Sequence, residues 1–164
     1  MINLPKPNFR LLYECSLEAE KPRMIGETPH GIRRVIQITG GWFDGPNMSG
    51  KVLSGGSDWQ LIRPDGVVSL ESRYMLQTGD GGLIFVHNRG VRVADSEVGA
   101  MLDRGEDVDP SRYRFRTTPT FETGAENYLW LNNVVAVATA ARRPRGAEIA
   151  VFEVLIRRYQ IILQ

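Results

Sequence analysis

The sequence is poor in the residues that carry several common chemistries. Its 164 residues include one cysteine, Cys15, and two histidines, His30 and His87. A lone cysteine excludes an internal disulfide. Two histidines and a cysteine, far apart and without paired-ligand spacing, form no zinc-type motif, so no metal is expected. Cys15 lies in a regular strand pattern with no base beside it, a poor setting for a thiol nucleophile. The glycines of GGWFDG and SGGSD lack the lysine-serine/threonine ending of a phosphate loop and open no predicted helix. No dinucleotide fingerprint follows a strand, which argues against hydride transfer, and no cofactor is expected. No apolar run is long enough to span a bilayer. MINLPKPNF lacks the apolar core of a signal peptide, so a soluble cytoplasmic protein is expected. A net charge of +1 gives no strong field toward nucleic acid or an anionic membrane, and neither is expected as a partner. A small-molecule substrate or ligand is expected instead, and a homo-oligomer stays open.

What is present reads as an ordinary globular domain. Hydrophobic residues make up 42% of the chain and charged residues 24%. The length suits one domain over residues 1–164 with a sizeable core. Of the 20 basic residues only three are lysine, and the 17 arginines supply planar donor forks for carboxylate or phenolate partners. Short runs rich in Val, Ile, Tyr, Phe, Trp and Thr recur between Gly, Pro and Asp. Strands are predicted over 9–19, 32–39, 59–63, 67–78, 83–93, 112–118, 128–140 and 147–158, with GGWFDGPNMSG as a connection. Only residues 95–105 read as a helix, capped by Asp95 or Ser96 and closed by Gly105. The fold class is therefore mainly β: a single antiparallel β-barrel, with lipocalin-like or streptavidin-like closure, and one short helix. A sandwich is the alternative.

One hairpin carries most of the site information. Pro64-Asp65-Gly66 suits a type I turn followed by a left-handed glycine. That loop pairs Ile62 with Val68, Gln60 with Leu70 and Asp58 with Ser72. Because side chains alternate, Asp58, Gln60 and Tyr74 share the more apolar face, which should point inward, while Trp59 points out. A slip by one residue would instead set Asp58 against Arg73 on the surface. An inward carboxylate needs a partner or a purpose, since burying it unpaired is costly.

Three further stretches offer candidates. In LIFVHNRG, an Asp80-Gly81 two-residue turn places His87 on the inner face, whereas a glycine-centred loop places Asn88 there. In YRFRTTP, Arg112, Arg114 and Arg116 share one face, which is either a solvated arginine face or a source of an inward oxyanion donor in Arg116. In YLWLNN, Tyr128, Trp130 and Asn132 alternate in a pattern that suits aromatic pocket walls with one orienting amide. Asp58, Arg116, Trp130 and Asn132 are expected to converge on one concavity.

The stretches VIQITGGWFDGPNMSGKVLSGGSDWQLIRPDG, YMLQTGDGGLIFVHNRG, YRFRTTPTFETGAENYLWLNN and VFEV resemble the family called domain of unknown function 3237, over nearly the whole chain. The resemblance implies a compact antiparallel β-barrel. It also points to a small hydrophobic or phenolic ligand, since some members resemble proteins encoded near aromatic or polyketide metabolism. It singles out Asp58, Gln60, Arg116, Trp130 and Asn132 among others. Trp42 departs from the pattern, where a smaller residue is common.

Two functional classes follow, with a structural interaction module as a third. In the first, a cofactor-independent lyase or isomerase/dehydratase acts on an aromatic, phenolic or ketide substrate. Asp58 transfers a proton, Arg116 stabilises an oxyanion, and Tyr128 or His87 supplies the complementary acid. Gln60, Tyr74, Asn88, Trp130 and Asn132 would bind the substrate. In the second, the same barrel only binds its ligand. The apolar tail YQIILQ is expected to cover the barrel or a neighbouring subunit.

Overall fold

A computed structural model describes residues 4–156; the YQIILQ tail lies outside them. Ten strands are present: β1 (Pro7–Ala19), β2 (Arg23–Thr28), β3 (Gly31–Gly45), β4 (Met48–Val52), β5 (Gly56–Ile62), β6 (Val68–Thr78), β7 (Leu83–Val93), β8 (Arg114–Glu122), β9 (Ala136–Arg143) and β10 (Gly146–Ile156). Every pairing is antiparallel, and β1 pairs with both β10 and β3, so the sheet closes on itself. β4 and β5 follow one another between β3 and β6 and act as one interrupted strand. The ring thus has eight positions, a size whose interior is filled by side chains or holds one small ligand. β2 extends from β3 beside this ring.

The predicted barrel is therefore present, and the Pro64-Asp65-Gly66 hairpin holds its expected register. Asp58 opposes Ser72, Gln60 opposes Leu70, and Ile62 opposes Val68. The Arg63 amide donates to the Val67 carbonyl at 2.9 Å, with Gly66 at φ +81°. The helix α1 runs Ser96–Asp103; Asp95 caps it by accepting from the Val98 amide at 2.8 Å, and Gly105 follows its end at φ +79°.

Three expectations are corrected. The connection GGWFDGPNMSG is mostly strand: β3 continues to Gly45 and β4 starts at Met48. Along β3 the neighbours change from β5 to β4 on one side and from β2 to β1 on the other. Gly41 sits at φ +135° opposite Leu17, where a Cβ would lie 1.9 Å from the Ser16 carbonyl oxygen, so only glycine permits the approach. β2 was not foreseen; its RMIGET run is short and does not alternate. Finally, residues Glu126–Asn133 are not strand but a 3₁₀ segment, and β9 begins only at Ala136. Local side-chain bonds outcompete a ladder here. The Asn132 amide donates to the Thr123 and Leu129 carbonyls and accepts from the Thr123 amide, all within 3.1 Å.

The interior has two halves. One is dry, built from Tyr13, Phe43, Leu76, Ile84, Val86, Phe121 and Leu131. The other carries the buried polar residues Arg34, Gln60, Ser72, Asn88, Arg92 and Thr117. Val98 and Leu102 of α1 join the core, and Asp103 at the end of α1 reaches Arg34 and Arg92.

Candidate functional site

β5 enters the barrel wall through the SGGSD stretch, and its two glycines have different tasks. Gly55 turns the chain at φ +98° with open space around it. Gly56 lets β5 press on β6, because a Cβ there would lie 2.6 Å from the Cβ of Tyr74. Alternation then sends Asp58 and Gln60 inward while Trp59 is 43% exposed outside.

Asp58 is held by one oxygen and open at the other. Its Oδ2 accepts from Gln60 Nε2 at 2.5 Å; its Oδ1 is sealed from solvent and has no hydrogen-bond partner. Behind it runs a fixed chain of groups. Arg34 Nε donates to Gln60 Oε1 at 2.8 Å, Arg34 Nη1 reaches Asp103 Oδ1 at 3.0 Å, and Arg92 Nη2 lies 3.5 Å from the same oxygen. Burial pushes the Asp58 carboxyl above its ordinary value, against the Gln60 hydrogen bond and the pull of Arg34, Arg92 and Arg142. Burial and the repulsion of Arg34 in turn lower Arg92 to about 10. The arrangement is a carboxylate made more basic by its surroundings, yet surrounded by fixed positive charge.

Asp58 lines a cavity inside the barrel with about 560 Å³ of atom-free space, including its mouth. Ile36, Leu70, Phe115 and Ile149 form apolar walls; Ser72, Asn88, Thr117 and Arg142 add polar groups. Short residues at Ala19, Gly146 and Ala147 leave room on this side of the cavity. Asn88 Oδ1 and Thr117 Oγ1 are buried without hydrogen-bond partners, like Asp58 Oδ1. Native interiors rarely leave such groups unpaired, and here three of them line one cavity.

The structure places the other predicted residues as follows. Gln60 and Asn88 are inward, and Ser72 faces Asn88, the outcome of the glycine-centred loop rather than the two-residue turn. Tyr74 is inward but lies in the dry half. Its hydroxyl and that of Tyr13 influence one another without a well-formed bond, and burial raises both phenols. His87 is on the outside, 2.9 Å from Glu71 Oε1. Arg116 also points outward; its Nη1 donates to the Phe115 carbonyl at 2.8 Å, and it lines an apolar groove on the outer wall with Phe9 and Val91. Tyr128 donates to Asp80 at 3.2 Å at the far end, Trp130 is 36% exposed, and Asn132 closes the 3₁₀ turn. Asp58, Arg116, Trp130 and Asn132 do not converge: an arginine alternating with Tyr113 and Phe115 must point out when those rings point in, and the 3₁₀ segment is not in the wall. Burial pushes the Cys15 thiol up to about 12, which keeps it an unreactive thiol.

The residues that sequence reasoning missed are Arg34, Arg92 and Arg142; Ser72, expected opposite Asp58, and Thr117 were given no role in the site. A signal existed for Arg92 and Arg34. With Asn88 inward, alternation also turns Arg92 inward; with β5 set against β3, Arg34 opposes Gln60. Among the described residues no group of three or more His, Cys, Asp or Glu is placed to hold a metal ion, and no helix is long and apolar enough to cross a membrane.

Comparison with known proteins adds relatives to this geometry. A family model described as protein of unknown function (DUF3237) matches residues 7–154. A UPF0311 protein of Clostridium acetobutylicum is 38% identical over 160 residues, covering 97% of each chain. The crystal structure of a conserved protein of unknown function from Rhodopseudomonas palustris superposes with a TM-score of 0.87 at 38% identity, covering 92% of this chain and 99% of that one. A structure described as a beta-barrel like protein, from Acinetobacter baumannii, gives 0.83 at 34% identity, covering 94% and 100%. A more distant relative is named the hydroalkoxylation enzyme phnH of Penicillium herquei, 29% identical over 133 residues, which span 81% of this chain and 74% of that protein. The chain belongs to the DUF3237 family.

Proposed function

We propose that this protein is an acid/base enzyme that acts on a small molecule inside the barrel, with Asp58 as the proton-transferring group. The observation that carries the reading is the state of its carboxylate. One oxygen is fixed by Gln60 and the other faces the cavity with no partner. A general base must be oriented, must have a free lone pair, and works best when its pKa is moved toward the working pH. Asp58 meets the first two conditions geometrically, and burial moves it in the required direction. A purely structural carboxylate would be expected to satisfy both oxygens.

The reaction class is addition or elimination at a carbon–oxygen bond. Hydroalkoxylation adds an O–H across a carbon–carbon double bond, and the name of the distant relative supports this class for the present chain. In the addition direction, Asp58 accepts the hydroxyl proton as the oxygen attacks. A new C–O bond forms, the double bond is consumed, and the proton is returned to the other carbon. Asp58 ends as it began; the carbon that gains oxygen and the carbon that gains hydrogen change oxidation level in opposite senses, so the addition needs no oxidant or reductant. Negative charge that develops on the substrate is met by Arg142, with Arg34 and Arg92 fixed behind Asp58. The apolar walls suit an aromatic or ketide body.

Asp58→Asn tests this. It keeps the shape and removes the basicity. Turnover of a responsive unsaturated phenol or ketide should fall by about a hundred- to ten-thousand-fold while ligand affinity and circular dichroism are retained. Near-normal turnover in the folded variant would remove Asp58 from the chemistry. Loss of affinity as the only defect would make the barrel a binding protein.

A further inference from the structure

The cavity also specifies the chemistry of what it holds. Three guanidiniums, Arg34, Arg92 and Arg142, face two carboxylates, Asp58 and Asp103. Arg34 and Arg92 are tied to Asp103. Arg142 is not: its Nη1 donates to the Gly146 carbonyl at 2.9 Å, and among the described residues no carboxylate lies within 4.0 Å of it. Its neighbour Arg143 shows the contrast, paired outside the barrel with Asp107 at 3.0 Å and Glu148 at 2.7 Å. Arg142 lines both the inner cavity and a wider hollow that shares Ala19 and Arg142 with it, where the cations Lys21, Arg34, Arg104 and Arg145 outnumber the carboxylates Glu20 and Asp103. Deeper in, Asn88 and Thr117 are only 2% and 3% exposed, yet an oxygen of each is unpartnered. The space thus has a cation at its mouth, apolar walls, and acceptor oxygens at its inner end.

We infer that the ligand is an oxyanion with an apolar body, held by Arg142 through its charged oxygen and donating a hydroxyl from its buried end to Asp58 Oδ1 or Asn88 Oδ1. The inference deepens the functional reading above and rests on the same cavity. A fixed guanidinium without a counter-ion is stabilised by any oxyanion that reaches it, in the bidentate geometry that arginine favours. The basic mouth attracts such a ligand before contact. A neutral ligand would leave Arg142 uncompensated, and a ligand without a hydroxyl would leave the buried acceptors unpaired. The oxyanion is a carboxylate, which meets the guanidinium with two oxygens, or an ionised phenol or enol, which meets it with one; both supply the charge-assisted acceptor that arginine favours.

Calorimetry with matched probes separates these sources and tests the inference. The pairs are para-hydroxycinnamate against its methyl ester, and para-nitrophenolate against para-nitroanisole; cinnamate tests the hydroxyl. Wild-type protein should bind at least one anion about 10- to 100-fold more tightly than its neutral partner, the range of a charged hydrogen bond. Preference in the first pair alone identifies a carboxylate, in the second alone a phenolate. Arg142→Met should abolish the preference, Arg142→Lys should keep part of it, and Arg143→Met, with the same change in net charge, should leave it intact. Cinnamate should bind less tightly than para-hydroxycinnamate. The inference is overturned if neither anion is preferred by wild type, if the preference survives Arg142→Met, or if Arg143→Met removes it equally. Asp58→Asn separates the two proposals, since loss of turnover with the anion preference intact supports both. Wild-type turnover without any anion preference sinks only this inference, and full turnover in Asp58→Asn sinks only the catalytic reading.

Discussion

Replacing Asp58 by asparagine should make the protein more stable at neutral pH, by an amount that depends on pH. In the native fold Asp58 Oδ1 is buried and unpartnered, while Oδ2 accepts one bond from Gln60. An asparagine has the same shape and keeps an oxygen for Gln60. Its amide takes the place of the unpaired oxygen and carries no charge. The cost of a buried unpaired group, about 1–3 kcal/mol, is common to both side chains; what the substitution removes is the added cost of burying a charge, which the attraction of Arg34, Arg92 and Arg142 offsets only in part. Burial outweighs these attractions, because the pKa is raised. The net gain from Asp58→Asn should thus fall in the range of common stabilising substitutions, about 0.5–2 kcal/mol. For a chain of this size that is a rise of about 1–8 °C in Tm. The sign follows from linkage. A carboxyl whose folded pKa is raised holds more protons folded than unfolded, so its contribution to stability falls as pH rises from the unfolded pKa through the folded one. Wild type and variant should have similar stability below the ordinary carboxylate range, and the gap should open as pH increases. Calorimetric or circular-dichroism melts from pH 3 to pH 8 would show this. An Asp58→Asn protein that is less stable than wild type by the same amount at every pH would refute the reasoning. It would mean that the carboxylate braces the Gln60–Arg34 chain rather than waiting for a ligand.

Two other outcomes rest on different parts of the fold. Gly56→Ala should cost about 1–3 kcal/mol, the range for overpacking, because its Cβ would lie 2.6 Å from the Tyr74 Cβ. Gly55→Ala meets no atom and pays mainly for its φ of +98°, about 1–2 kcal/mol; equal and negligible effects in chemical denaturation would contradict the close packing of β5 on β6. Asp80 accepts from Thr78, Asn127 and Tyr128, and these bonds, Thr78 first, hold its carboxyl down to about 2. Asp80→Ala should speed amide hydrogen exchange across residues 126–133. In wild type the same loosening should set in only as pH falls from the ordinary carboxylate range through about 2, because a lowered pKa contributes stability above the unfolded value and loses it below the folded one. Unchanged exchange in Asp80→Ala would show that the 3₁₀ segment is held by Asn132 alone.

What the sequence determined by itself is local. Pro64-Asp65-Gly66 sets a turn within a few residues, and that turn sets the register placing Asp58 and Gln60 inward and Trp59 outward. The same holds for α1, whose Asp95 cap and Gly105 stop are a turn apart from the residues they act on. The barrel class was legible because turn chemistry and alternation recur along the chain, and closure is the economical way to remove sheet edges. The composition of the site was decided by closure itself. Arg34 meets Gln60 because β3 pairs with β5, Arg92 shares its face with Asn88, and Arg142 reaches the cavity from β9, which touches β8 and β10 but neither β5 nor β6. No spacing in the sequence encodes a distance across a barrel. Arg116 and Arg142 are alike as residue types in strand patterns; which one faces the cavity depends on the strand's phase relative to the ring, and that phase is set by the packing of Tyr113 and Phe115 against the core on one strand and of small alanines on the other. Tyr128, Trp130 and Asn132 were drawn into a wall by their alternation, whereas the bonds of Asn132 to Thr123 and of Asp80 to Tyr128 wound them into a 3₁₀ segment. A side chain's partner over a span of nine or 48 residues exists only once the chain has folded back to present it.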